Sequence, residues 1–114
     1  MRRIQFYRTE AGTCPVEEFL DYLNPKQSKK VLWVMQMVRQ MPKPPVQYFK
    51  KLIGTDLWEI RTQLGSDAFR LIGFFDGEQL IILTSGFAKK TQRTPKQEIE
   101  TAKQRMKDYF NKKE

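Results

Sequence analysis

The chain contains no histidine and only one cysteine, Cys14. Those two shortages remove whole classes of chemistry. Ser–His–Asp and Cys–His catalysis and imidazole acid–base work are excluded. A protein-built zinc site is not expected. One cysteine cannot close an internal disulfide, so a stapled secreted scaffold is excluded too. No run of about 18 apolar residues occurs, so no membrane span is expected. The first residues, from Met1 to Tyr7, carry charge but no apolar stretch, and no signal peptide is expected. Glycine-rich phosphate loops are missing. Acidic residues are missing from one long stretch: none lies between Tyr22 and Thr55.

What is present fits one soluble, cytoplasmic domain over residues 1–114. The 114 residues leave no room for two full cores. A hydrophobic fraction of 39% with 14 aromatic residues is enough for a packed interior. The net charge is +8, from 21 Lys+Arg against 13 Asp+Glu. The acid-free stretch holds Lys26, Lys29, Lys30, Arg39, Lys43, Lys50 and Lys51, and a second cluster is Lys89, Lys90, Arg93 and Lys96. Clusters of this kind attract phosphate backbones and equally suit an acidic protein partner.

The periodicity predicts an α+β domain. Ile4 and Phe6 alternate with Gln5 and Tyr7 as a short first strand. Pro15 suits the first turn of a helix, with Val16, Phe19, Leu20 and Leu23 as its apolar stripe. Asn24, Pro25 and Gln27 form a capping box for a second helix with Val31, Val34, Met35, Val38 and Met41 inside. Pro42, Pro44 and Pro45 stop it. These two helices are expected to form an antiparallel hairpin. The period then becomes two. Trp58 and Ile60 share one face, while Leu57, Glu59 and Arg61 share the other. Gly65-Ser66-Asp67 is a turn, Phe69–Phe75 a strand, and Asp76-Gly77 a two-residue hairpin signal. Gln79–Thr84 is an apolar strand that Ser85-Gly86 should end. A last helix opens at Thr94-Pro95-Lys96-Gln97, with Ile99, Ala102, Met106 and Tyr109 inward. The expected architecture places the helices on one face of a curved antiparallel meander, leaving the other face uncovered.

Arg61 and Arg70 are the leading functional candidates. Each stands among apolar residues in consecutive strands, and guanidinium groups bind phosphate through a planar fork while staying charged. Strand register is open from sequence, so they can share a face or oppose one another. Either can instead be a solvent-facing arginine, or pair with Glu59 or Asp67. Lys89 and Lys90, after the last strand, can act as bases if neighbouring cations depress their pKa; solvated lysines are the plainer reading. Lys50, Lys51 and Arg93 can hold phosphates. Lys29 and Lys30 read as the solvent face of their helix, and Trp33 as packing or a partner surface.

Three segments together carry a resemblance. They are Leu57-Trp58-Glu59-Ile60-Arg61; Phe69-Arg70-Leu71-Ile72 with the Asp76-Gly77 turn; and Gly86-Phe87-Ala88-Lys89-Lys90-Thr91-Gln92-Arg93-Thr94-Pro95 leading into a basic helix. Over roughly residues 50–110 the chain resembles the phage-derived HigB branch of the RelE/ParE toxin superfamily. The resemblance implies a RelE-like fold and a type II toxin–antitoxin system. It implies a metal-independent endoribonuclease, needing no cofactor, that cuts mRNA on the ribosome. Its partner would be a HigA-like helix-turn-helix antitoxin, with operator DNA bound only through the toxin–antitoxin complex. ParE-like members share the fold but inhibit gyrase without cutting RNA, and a non-toxic regulator that only binds an antitoxin is a further alternative. Carried over by position, Arg61, Arg70, Lys89 and Lys90 would be catalytic, and Lys50, Lys51 and Arg93 would bind RNA. The family's strand lysines are replaced here by Leu57 and Glu59. No tyrosine stands at the start of the last helix, and Tyr109 lies too far along it.

Overall fold

The computed structural model describes residues 1–90 and 93–113. Strand β1 (Arg3–Phe6) is followed by helices α1 (Pro15–Tyr22) and α2 (Pro25–Gln40). Strands β2 (Phe49–Lys51), β3 (Trp58–Leu64), β4 (Asp67–Asp76) and β5 (Leu80–Ala88) follow, and then helix α3 (Lys96–Lys113). The strands form one mixed sheet in the order β1-β5-β4-β3-β2. Four of them are the expected antiparallel meander, and β1 lies parallel to β5 at one edge.

Local chemistry explains the elements. Asn24 accepts from the Gln27 backbone N–H at 2.8 Å, and the Gln27 side chain accepts from the Asn24 N–H at 3.1 Å. That box satisfies two of the donors a helix start leaves open. The two helices are joined by two residues, but their main contacts are with the sheet, α1 against β5 and α2 against β3, rather than with each other. The hairpin expectation is therefore right in order and not in packing.

Three further expectations are corrected. The tight two-residue turn is Gly65-Ser66, bracketed by the Leu64–Asp67 pair, with Gly65 at φ 60°. A glycine at positive φ in the first turn position matches the twist of a hairpin. Between the paired Asp76 and Leu80 three residues intervene, so Asp76-Gly77 opens a longer loop. Strand β5 also does not stop at Ser85-Gly86. It runs to Ala88, with an irregularity opposite Ile72/Gly73 that admits one extra residue, Thr84. The Thr84 hydroxyl is fully buried and donates to the Ile72 carbonyl at 3.1 Å. The extra residue shifts the in–out alternation, so that Leu83 packs on the α1 and α2 side while Ser85 faces α3.

The third correction concerns the layers. Helices lie on both faces of the sheet, not on one. Val16, Val31, Val34 and Val38 of α1 and α2 pack on Ile60, Phe69, Leu71, Ile81 and Leu83. On the opposite face Ala102, Ile99, Met106 and Tyr109 of α3 pack on Leu57, Ile72, Phe74 and Ile82. The α3 stripe is the one its spacing predicts. What spacing could not show is that the strands supply an apolar set to each side: Leu71 looks one way and Ile72 the other. Among the described residues no helix is long and apolar enough to cross a membrane.

Candidate anion site on the sheet

Register decides the site. Arg61 on β3 lies directly opposite Arg70 on β4. The Arg61 N–H donates to the Tyr48 carbonyl at 2.8 Å, away from β4. Arg61 and Arg70 are therefore a non-hydrogen-bonded pair, the position where facing side chains come closest. Alternation along each strand turns both onto the α3 face. Of the two arrangements open from sequence, the structure has the shared face, and the pair lies on that part of it left beyond the apolar contacts of α3.

Arg70 is 7% exposed. Its Nη1 donates to the Phe69 carbonyl at 3.0 Å, and its Nε stands 3.9 Å from Glu59 Oε1. Arg61 reaches the Val46 carbonyl through Nη1 at 3.5 Å. Among the described residues the buried Nε of each arginine has no hydrogen-bond partner. Burial, and next the facing Arg61, push the Arg70 pKa down, while Glu59 pulls it up. A buried guanidinium facing a second one, with donors unused, is an arrangement that an anion relieves.

Glu59 is 3% exposed and accepts from the Thr94 hydroxyl as well as facing Arg70. It stands as a counter-charge to Arg70 and ties the segment entering α3 to the sheet. Further along, Arg105 Nη1 donates to the Thr84 carbonyl and the Ser85 hydroxyl, each at 2.9 Å, so α3 is latched at the bulge. Two tyrosine–aspartate pairs complete the clasp. Tyr109 donates to Asp76 at 2.7 Å and Tyr7 to Asp108 at 2.5 Å, with Lys113 and Lys112 on the same carboxylates.

The candidate residues divide clearly. Lys89 joins the arginines: its pKa is pushed down by burial, then by Arg70, and further by Arg61 and Lys50, against an opposing pull from Glu59. Its backbone N–H is held by the Ala68 carbonyl at 2.8 Å, which fixes where β5 delivers it. Lys50 pairs across the strands with Glu59 and so shares the site face. Lys51 pairs with Trp58 and turns to the other face; the structure does not bring it to the arginines. Lys90 and Arg93 are exposed beside the site segment. Thr91 and Gln92, part of the motif quoted above, lie outside the described residues.

Sequence reasoning passed over Glu59 and Thr94 as site-builders, read Lys30 only as the solvent face of its helix, and did not single out Tyr48. Lys30 lines a cavity of about 320 Å³ with Tyr48, Arg61 and Arg70. A glutamate alternating with a buried face was the available signal, since buried carboxylates are kept only with partners. A larger depression, about 580 Å³, lies between α2 and β1 and is lined by Ile4, Phe6, Leu32 and Met35 with Arg3 and Arg39 at its rim; it is remote from these cations. Among the described residues no three Cys, Asp or Glu side chains converge where a metal could sit. The site can hold an oxyanion and orient it, and Lys89 stands beside it with its pKa pushed down by burial and then by Arg70.

A search of curated proteins found no match. A family model described as "Phage derived protein Gp49-like (DUF891)" matches residues 18–107, a span that includes Lys50, Glu59, Arg61, Arg70, Lys89 and Thr94. The chain belongs to this Gp49-like family of phage-derived proteins, part of the RelE/ParE-like toxin–antitoxin group.

Proposed function

We propose that this protein is the toxin of a type II toxin–antitoxin pair of the HigB-like branch, with a RelE-like fold, and that it cuts mRNA on the ribosome. Its partners on this reading are mRNA, the ribosome and a helix-turn-helix antitoxin. The observation that carries the reading is the facing Arg61–Arg70 pair, with unused donors, beside a lysine of depressed pKa. Family membership adds the toxin–antitoxin context.

In the proposed reaction an RNA 2′-hydroxyl oxygen attacks the adjacent phosphorus. The P–O5′ bond breaks, the 5′-oxygen leaves and takes a proton from water, and a 2′,3′-cyclic phosphate remains. The phosphorane-like transition state gathers negative charge on the non-bridging oxygens, where Arg61 and Arg70 supply fixed donors. One such donor is worth ~3 kcal/mol when it is preorganised in a dry site. Lys89, whose neutral form is favoured by burial and then by its cationic neighbours, accepts the 2′-hydroxyl proton; Lys90 is the alternative base. Lys50 and Arg93 hold flanking phosphates. Positioning on the ribosome supplies the alignment that an isolated site lacks.

The test is expression of the chain alone, with RNA 5′ ends mapped. Discrete cleavage within mRNA is expected. Arg70→Ala, made together with Glu59→Gln so that no buried carboxylate is left unpaired, should abolish cleavage and growth arrest while the purified variant still melts cooperatively. Intact mRNA with altered DNA supercoiling would instead support a gyrase inhibitor, and full toxicity of the double variant would overturn the site.

A further inference from the structure

Strand β2 ends at the Phe49–Ile60 pair, and after the Arg61 N–H bond to the Tyr48 carbonyl the edge of β3 from Thr62 to Leu64 has no strand beside it among the described residues. Round that edge the two faces of the sheet meet. Arg61 and Arg70 come from the α3 face. From the α2 face come Lys30 and, over the edge, Tyr48, lining the same cavity of about 320 Å³. This volume falls in the range of small-ligand sites, ~300–1,000 Å³. Next to the cavity stands Trp33. Its ring meets Tyr48 edge to face at 6.2 Å, and Lys30 Nζ lies 4.6 Å from its centroid.

Trp33 is 51% exposed. An indole so open contributes little to the core, and a Trp is normally among the most buried side chains on average. The cavity lining joins one aromatic ring, Tyr48, to three cations, Lys30, Arg61 and Arg70, with no carboxylate among the described lining residues, and Trp33 stands beside it against Tyr48 and Lys30. Aromatic rings next to a phosphate-binding groove are the usual means of holding single-stranded bases, which stack in place of sequence-specific hydrogen bonds.

We propose that Trp33 and Tyr48, with Lys30, form a nucleobase-stacking subsite that seats a base of single-stranded RNA next to the phosphate held by Arg61 and Arg70. The proposal rests on the RNA-cutting reading above and adds what positions the strand. The backbone passes round the open edge of β3, the phosphate on one face and the base on the other. The subsite accepts any base, because every base offers a π-face; its contribution is position, not sequence.

The experiment compares two probes at up to millimolar concentration on the full chain, by calorimetric or NMR titration. One is a 2′-O-methyl RNA trinucleotide, which lacks the attacking hydroxyl and stays intact. The other is an abasic backbone of the same length. The base-bearing trimer should bind wild type about 5- to 150-fold tighter than the abasic one, the equivalent of one base–aromatic stack. Trp33→Leu should erase that advantage while leaving abasic binding unchanged, and Trp33→Phe should retain part of it. Equal binding of the two probes by wild type overturns the proposal. So does a full base advantage in Trp33→Leu, which would make the exposed indole a protein-docking face. The underlying phosphate reading is checked separately with Arg70→Gln: abasic binding that is unaffected by that change defeats the anion site, whatever Trp33 does.

Discussion

Replacing Arg61 by glutamine should make the protein more stable and less active at once. Arg61 and Arg70 face each other at a non-hydrogen-bonded position. Like charges at that spacing destabilise a sheet by ~0.2–1 kcal/mol. Arg61 is only half-buried, and its side chain gives up one long hydrogen bond, 3.5 Å to the Val46 carbonyl. Glu59 keeps its partner, since it faces Arg70. Removing the charge therefore relieves repulsion without orphaning a carboxylate. The unfolding entropy of 114 residues is ~0.24 kcal/mol/K, so the melting temperature should rise by about 1–4 °C in chloride buffer. Phosphate should reverse the order. At ten times its dissociation constant, bound phosphate stabilises wild type by ~1.4 kcal/mol, or about 6 °C, and the variant by much less. Wild type and variant are compared at the same phosphate concentration, so the general salting-out effect cancels. Cleavage in the RNA-end assay should fall ~10²–10³-fold. If Arg61→Gln melts below wild type in chloride, or phosphate raises both proteins equally, the pair is not a strained anion site.

Two other outcomes follow from the clasp and the bulge. Gly73→Ala should destabilise by ~1–3 kcal/mol or more, because a Cβ there would run into the backbone carbonyl of Ile82, which cannot swing aside as a side chain can; chemical denaturation measures it. Tyr7 and Tyr109 are pushed up to about 12, first by burial and then by the carboxylates of Asp108 and Asp76. Their neutral forms therefore support the fold fully below the unfolded value of ~10 and cease to as pH rises through about 12. Tyrosinate absorbance at 295 nm should show a late step near pH 12 coincident with unfolding, and Tyr7→Phe with Tyr109→Phe should remove it.

Much of the fold was readable in the chain because its signals are local. Asn24, Pro25 and Gln27 specify a helix start whatever surrounds them, and the period-two run from Leu57 to Arg61 correctly separates Trp58 and Ile60 from Glu59 and Arg61. Non-local quantities were not readable. Which strand lies opposite which, and by what register, depends on side chains far apart in sequence, and one slip would turn Arg70 to the other face. The placement of α3 also escaped, because an apolar stripe says that a face must be covered and not which sheet surface covers it. The bulge at Thr84 lengthens β5 past two residues whose local preference is to end a strand.

The absence of histidine and the surplus of eight positive charges are properties of the sequence alone. They exclude imidazole chemistry and make arginine and lysine the most abundant charged groups, since composition survives any fold. That Arg61 should meet Arg70, that Glu59 should be buried between Arg70 and Thr94, and that Lys30 and Tyr48 should share a cavity with both arginines was decided by tertiary structure. Charge becomes a site only when packing removes water and brings like groups closer than solvent would allow.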